Sequence, residues 1–300
     1  MKILLAINEK SGAVQRLGAD AIEAMARRVA AAAGATLNVV RGDADRLIGA
    51  AEAARDMDAV ATAGGDGTQA AIAGVLMGAE APLLPLPCGT LNLLCRDLSM
   101  PLDIEDAFRT SLQGAIAEID VGVVTASGSP DRVFLNNVVF GAYGELAEAR
   151  EELRDAETIA ETTAGVAAAA RSVLNADPLT FTVRLDGQAQ SIDTNTIVVS
   201  NNAITHSNGL VPQREALASG KLAVYLTQAA DGGDFAVLLA DFLAGRAAKS
   251  NAIHLRNARR CAIHARGKTF SYTVDGDPLE SVKEVTLALK PRALKVLRPN

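Results

Sequence analysis

The first part of the chain alternates two textures. Short apolar runs at 2–7, 36–40, 57–62 and 82–86 are separated by longer alanine-rich stretches with helical spacing. Between the first two runs Ile22, Met25, Ala26, Val29 and Ala33 fall on one face and Arg and Glu on the other, which predicts a helix over 14–33. Strand runs alternating with helical patterns mark βαβ units, so a parallel sheet is expected from the start to about Leu112. After Ile119 the period shortens. IDVGVVTA, RVFLNNVVF, LTFTVRLDG, AQSIDTNTIVVS and KLAVYLTQ are β-rich and separated by turn formers, and they predict a second, mainly antiparallel domain. Helical segments are expected within it over 145–174 and 234–245, and the alternating stretch 284–297 reads as strand that can return to either domain. The expected division is 1–118 and 119–283, with about 284–300 available to the first domain.

Composition narrows the function classes. With 49% hydrophobic and 21% charged residues in 300, the chain has ample material for two cores and none of the character of a disordered protein. A net charge of −6 offers no general attraction to nucleic acid, which is excluded as an expected partner. Cys88, Cys95 and Cys261 form no CxxC pair, and His206, His254 and His264 lack zinc-ligand spacing, so no metal-ligating set is expected. A reduced, cytoplasmic protein fits this cysteine usage. The apolar run at the N-terminus is shorter than a signal-peptide core, and no stretch approaches the roughly 20 apolar residues that span a bilayer.

Chemistry concentrates at strand ends. Ala63-Gly64-Gly65-Asp66-Gly67-Thr68 lies between an apolar strand and an amphipathic helix. Glycines there free the backbone of Cβ atoms, so that N–H groups can approach phosphate oxygens, and the helix N-terminus adds its positive dipole end. Asp66 is the carboxylate held beside such phosphates, suited to helping hold Mg²⁺ or to accepting the proton of an attacking hydroxyl. A tight Gly/Asp turn would need the same residues. One βα unit later Leu86-Pro87-Cys88-Gly89-Thr90-Leu91-Asn92 repeats the design, and Thr90 and Asn92 also suit plain helix capping. Asn8-Glu9-Lys10-Ser11-Gly12 ends the first strand. All three turns would open on the C-terminal edge of the parallel sheet, where open α/β folds bind ligands, and together they suggest a nucleotide. Val274-Asp275-Gly276-Asp277 is a further candidate, although Asp-Gly is also a common hairpin turn.

In this order and at these separations, NEKSG, GGDGT, LPCGTLN and VDGD resemble the catalytic domain of diacylglycerol, sphingosine and ceramide kinases, including the bacterial lipid kinases. The resemblance extends through IDVGVV, RVFLNNVVFGAYGELAEAR and GLVPQREALASGKLAVYL. It implies an α/β nucleotide-binding domain with a parallel sheet, of NAD kinase/diacylglycerol kinase type, and a C-terminal, mainly antiparallel β-sandwich domain for the lipid. It also implies ATP and Mg²⁺ as cofactors, with nucleotide contacts falling on Asn8, Ser11, Gly65, Asp66, Gly67, Thr68, Gly89, Thr90 and Asn92. The family's proposed catalytic bases fall on Asp66 and on Asp277, the acidic end of its DGE motif. The implied reaction moves the γ-phosphoryl group of ATP to a hydroxyl of a membrane lipid alcohol. Such a protein would be cytoplasmic and peripherally membrane-associated.

Departures from the pattern bear on the substrate. Gly42 replaces a common threonine, Ala71 a common glutamate, and DGE has become DGD. A stretch that holds Mg²⁺ through three acidic side chains in some bacterial diacylglycerol kinases is here Ala218–Ala223, without any of them, so no metal is expected there. This turns the expectation from a housekeeping diacylglycerol kinase toward ceramide or a sphingoid base. The alternatives are an NAD kinase-like enzyme, which shares the GGDGT loop but continues its second turn differently, and a catalytically inactive nucleotide-binding regulator. Arg256, Arg259, Arg260, Arg266 and Lys268, with no acid among them, read either as a surface for anionic headgroups or as a solvated strand face.

Overall fold

The computed structural model describes residues 1–141, 178–208, 211–227 and 253–300. The helical segments expected over 145–174 and 234–245 lie outside them. The chain divides into two compact units, Met1–Val121 with Lys290–Asn300, and Gly122–Leu289.

The N-terminal unit runs β1 (Lys2–Asn8), α1 (Gly12–Leu17), α2 (Ala19–Ala32), β2 (Thr36–Gly42), α3 (Ala44–Ala53), β3 (Ala59–Gly64), α4 (Asp66–Leu76), β4 (Leu83–Pro87), α5 (Leu93–Asp97), α6 (Ile104–Ser111) and then into β5 (Ala115–Ala126). Its strands are parallel in the order β2-β1-β3-β4, with Leu5 opposite both Val39 and Ala61, and Ala61 opposite Leu84. Every residue of β3, and Ile3–Ile7 of β1, is buried. Continuous rather than alternating apolar runs are what a parallel sheet covered on both faces requires. α2 packs with α6 and α3 with α4.

The single helix expected over 14–33 is two. Gly18, at φ +85°, closes α1 by donating its N–H to the Val14 carbonyl and accepts from Ile22 at the start of α2. Alanine-rich periodicity on either side hides a break that only a positive φ requires. The strand expected over 57–62 begins two residues later, because Met57 is still in a turn that donates to Ala54, and it runs on into Gly64.

The second unit holds β6 (Arg132–Phe134), β7 (Asn137–Gly141), β8 (Leu179–Leu185), β9 (Gln188–Thr194), β10 (Thr196–Asn201), β11 (His206–Asn208), β12 (Val211–Gln213), β13 (Leu222–Thr227), β14 (Ile253–Ala258), β15 (Arg260–Ala265), β16 (Phe270–Val274) and β17 (Asp277–Val282). One antiparallel sheet has the order β14-β13-β10-β7-β16-β17. In the other, β15 pairs with β8 and with the start of β18 (Glu284–Arg298), and β8 pairs with β9. Residues 284–289 of β18 belong to this unit and 290–298 to the N-terminal one, where Val296 pairs in parallel with Leu83. Phe140, Val199 and Val224 of the first sheet share one buried cluster with Phe181, Ile263 and Leu287 of the second, which makes a sandwich. Phe270 joins them, edge-on to Phe140 at 5.7 Å and to Phe181 at 5.5 Å. Gly122 of β5 lies opposite Phe134, whose ring occupies the space of a Cβ, with Cζ only 2.2 Å from where one would stand.

The three cysteines are free and buried. Burial pushes the Cys88 and Cys261 thiols up to about 12, and raises that of Cys95 further still, with the Asp66 carboxylate adding to the effect. A thiol reacts as its thiolate, and a pKa about four units above the working pH leaves roughly one in ten thousand ionised. At pH 8 a disulfide reagent is therefore expected to label none of the three until the protein is unfolded. Because the folded values are raised, their contribution to stability is present below about pH 9 and is lost as pH rises toward 12. Denaturant midpoints should accordingly fall as pH rises above 9.

Candidate functional site

Three turns lie at the C-terminal edge of the parallel sheet, after β1, β3 and β4. The second is formed by the end of β3 and the start of α4. Gly65 is the N-cap, extended at φ −74° and ψ 177°, and no side chain caps the helix. Helix geometry leaves the first-turn N–H groups of Gly67 and Thr68 without intrahelical acceptors, at the positive end of the α4 dipole. The third turn approaches closely: a Cβ on Gly89 would stand 3.1 Å from the Gly65 Cα and 3.4 Å from the Asp66 nitrogen. A side chain at position 89 would require the neighbouring backbone to give by a few tenths of an ångström.

Side chains lock the turns together. The N–H of Leu93, first residue of α5, donates to Asp66 Oδ1 at 3.0 Å, joining the second turn to the third. Asn8 Nδ2 donates to Thr68 Oγ1 at 2.8 Å, joining the first to the second, and Ser11 Oγ donates to the Cys88 carbonyl at 2.9 Å, joining the first to the third. Asn92 sits at φ +52° and accepts the Gly89 N–H on Oδ1 at 2.7 Å. Left-handed backbone and a short acceptor together explain why this position is asparagine. Beneath them the buried amide of Gln69 donates to the Leu86 carbonyl at 3.1 Å, tying α4 to β4.

Of the residues the sequence singled out, the N-terminal unit brings together Asn8, Ser11, Gly65, Asp66, Gly67, Thr68, Gly89 and Asn92, all partly exposed, while Thr90 is exposed on the same turn as Gly89. Gly42 ends β2 opposite Asn8 at φ +154°, where a Cβ would meet Arg46 Cδ at 2.8 Å. Gln69 escaped sequence reasoning. Its signal is a polar side chain on the apolar face of α4, among Ala70, Ile72, Ala73 and Leu76.

Asp277 belongs to the other unit. Asp275 and Gly276 have φ +49° and +95° and join β16 to β17, with Val274 paired to Asp277. Two positive-φ residues make the tight, primed turn of a hairpin, so the Asp-Gly pair is the turn it also suggested. Asp277 is exposed at the first position of β17. Asp275, passed over as turn chemistry, accepts the N–H groups of Leu135, Asn136 and Asn137 at 2.7, 2.8 and 2.9 Å. In the stretch Ala218–Ala223, Ser219 donates its N–H and its hydroxyl to Asn202 Oδ1 at 2.9 and 2.5 Å. Among the described residues no group of three or more His, Cys, Asp or Glu is gathered as for a metal, and no helix is long and apolar enough to cross a membrane.

Residues 2–124 match the diacylglycerol kinase catalytic domain family, and residues 139–298 match the YegS C-terminal NAD kinase beta sandwich-like domain family. The "Probable lipid kinase YegS-like" of Cronobacter sakazakii is 34% identical over 108 residues, 35% of this chain and 34% of that protein, so the chain spans about a third of the length of the curated relative it matches. A solved structure of a protein from Bacillus anthracis str. Sterne, assigned as a diacylglycerol kinase, superposes with a TM-score of 0.75 at 18% identity over 99% of this chain and 96% of that one. A second, of a diacylglycerol kinase from the same organism, gives a TM-score of 0.66 at 17% identity over 99% and 96%. At such identities the likeness is one of fold, an α/β domain with a parallel sheet joined to an antiparallel β-sandwich. Matched in both units, the chain belongs to the bacterial lipid kinase family built on the diacylglycerol kinase catalytic domain.

Proposed function

We propose that this protein is an ATP-dependent lipid kinase that transfers the γ-phosphoryl group to a hydroxyl of a membrane lipid. The observation that carries the reading is the cradle formed where Gly65 and Gly89 meet at the N-terminus of α4. A polyphosphate fits such a place for physical reasons: the backbone is stripped of Cβ atoms, the first-turn N–H groups are donors, and the helix end favours negative charge. Gly65, Gly67, Thr68 and Gly89 would hold phosphate oxygens, with the exposed Thr90 beside them. Asn8, Ser11 and Asn92, bonded within the turns, give the cradle its shape. With no larger acidic cluster among the described residues, Mg²⁺ would be held mainly through the phosphates, as small hard cations often are, with Asp66 the carboxylate of the cradle. When bound, it neutralises charge that builds on the phosphoryl oxygens.

The work left to the protein is positioning and proton handling. Asp66 and Asp277 are the two candidates for accepting the proton of the lipid hydroxyl, one from each unit. The absence of acids in Ala218–Ala223 favours ceramide or a sphingoid base over diacylglycerol as the acceptor. Arg256, Arg259, Arg260, Arg266 and Lys268 are all exposed, and we assign to them contact with anionic headgroups at the cytoplasmic membrane surface.

Radiolabelled ATP with Mg²⁺ and detergent-dispersed diacylglycerol, ceramide, sphingosine and phosphatidylglycerol should label at least one lipid. Asp66→Asn keeps an acceptor for the Leu93 N–H and should leave the melting temperature nearly unchanged, while kcat falls by about 10²–10⁴-fold, the usual span of general-base catalysis. A wild-type protein that labels none of the lipids would sink the kinase reading, and an Asp66→Asn variant of near-normal rate would sink Asp66 as the base and leave Asp277. Gly89→Ala presses on the Gly65 backbone and on Asn92 Oδ1 at 3.1 Å and puts a methyl group into the cradle, so KM for ATP should rise about tenfold with a smaller change in kcat; an unchanged KM would remove the cradle from nucleotide binding. Flotation on phosphatidylglycerol vesicles should weaken when the four arginines become glutamine, and binding that stays the same would assign the membrane contact elsewhere.

A further inference from the structure

Beneath the Gly65–Gly89 contact the ladder between β3 and β4 ends one bond early. Val60 donates to the Pro82 carbonyl at 2.9 Å, so the even-numbered residues of β3 turn their backbone groups toward β4. Gly64 is paired with Pro87, and in a parallel ladder its carbonyl would next take the N–H of residue 88. The Cys88 N–H bends back instead to the Leu86 carbonyl at 2.7 Å. Pro87 is the middle residue of this tight turn, and its fixed φ suits that place. The chain therefore leaves the sheet toward Gly89 at the point where a bond between the two strands is missing.

The side chain of Gln69 supplies the missing donor. Its own N–H makes the first bond of α4, to the Gly65 carbonyl at 3.0 Å, and the residue is fully buried on the face that carries Ala70, Ile72, Ala73 and Leu76. Nε2 stands 3.1 Å from the Leu86 carbonyl and 3.5 Å from the Gly64 carbonyl, one at the end of each strand. The Cys95 thiol of α5 lies against the same amide. The amide oxygen is placed differently: Oε1 is buried and has no hydrogen-bond partner among the described residues. A buried amide with an unmet acceptor is destabilising beside an apolar side chain of equal length, so the stability of α4 does not ask for glutamine at this position. We infer that Gln69 is a positioning residue for the nucleotide: its amide holds the ends of β3 and β4 together where the ladder fails, and so sets the spacing of the Gly65 and Gly89 turns. The inference rests on the reading of those turns as the ATP site.

Stability and binding should then part company. Gln69→Met keeps the length and helix preference of the side chain and removes both the donor and the unmet oxygen, and Gln69→Leu does the same with a branched side chain. Ile72→Val, at a fully buried position on the same face of α4, loosens the packing of the helix without touching the strand ends and serves as the control. Binding of ATP with Mg²⁺ to the full chain would be measured by calorimetry, the melting temperature by circular dichroism, and hydrogen exchange over 64–68 and 87–93. Both Gln69 variants should melt close to the wild type yet bind ATP about tenfold more weakly, a modest loss beside the ~10²-fold that a 1 Å misplacement can cause in a reaction. Exchange should quicken over both segments. Ile72→Val should melt lower, with the affinity and the exchange of those segments kept. Wild-type affinity in both Gln69 variants would overturn the inference, and so would an affinity that falls only together with the melting temperature, as a purely structural role requires. A wild type that binds no ATP would overturn instead the nucleotide reading on which the inference rests.

Discussion

The turn after β4 lies this close to the N-terminus of α4 because Gly89 carries no side chain at the point of contact. A Cβ on Gly89 would lie 3.1 Å from the Gly65 Cα, well inside ordinary packing distance. That contact brings the turn after β4 against the N-terminus of α4, and the other bonds of the site follow from it. Leu93 comes within reach of Asp66, the Cys88 carbonyl faces Ser11, and Asn92 folds back onto Gly89. The parallel order of β1, β3 and β4 is what puts the three strand ends at one edge in the first place. Sheet topology sets the neighbourhood, and the glycine contact sets the spacing within it.

Aspartate recurs across the molecule as an acceptor for backbone N–H groups that lie far away in the chain. Asp66 takes the N–H of Leu93, Asp275 those of Leu135, Asn136 and Asn137, Asp186 those of Arg259 and Arg260, and buried Asp120 that of Arg292. A short side chain with a formal charge is well suited to this, since a hydrogen bond to an ionised acceptor is stronger than a neutral one and its reach is small. These four carboxylates therefore tie together backbone segments that are distant in the chain. Asp66 differs from the others in where it stands: it is the first residue of α4, so its bond to Leu93 ties the helix N-terminus itself to the next turn.

The sequence carried more of the N-terminal unit than of its partner. Strand runs, their parallel arrangement and the three glycine-rich or amide-rich turns are all local signals, legible because each turn needs a residue type that little else requires. Gly18 was missed because a break within an alanine-rich stretch leaves the periodicity on both sides intact. Gln69 and Arg214 were missed for another reason. Each is a buried polar residue whose partners lie well away in the chain, and no spacing rule announces a bond from Gln69 to Leu86 or from Arg214 to Leu135. The VDGD stretch shows both limits at once. Its turn was legible from Asp-Gly alone, yet the acceptor role of Asp275 depends on a loop some 140 residues earlier in the chain.

The same distinction bears on how the acidic end of that stretch can act. Relative to the glutamate of the pattern it resembles, Asp277 is shorter by one methylene and has fewer rotamers with which to correct an error in backbone position. A shorter side chain transmits displacement of the backbone to the carboxylate almost undiminished. The demand for accuracy moves from the side chain to the turn, which is held by the three backbone N–H groups that Asp275 accepts and by the pairing of Val274 with Asp277 and Thr273 with Pro278. The loop Ala218–Ala223 shows a comparable exchange: where acidic side chains would need an ion between them to cancel their repulsion, Ser219 bonds directly to Asn202. In both places the local backbone is held by hydrogen bonds of short reach, and its geometry is correspondingly less free to adjust.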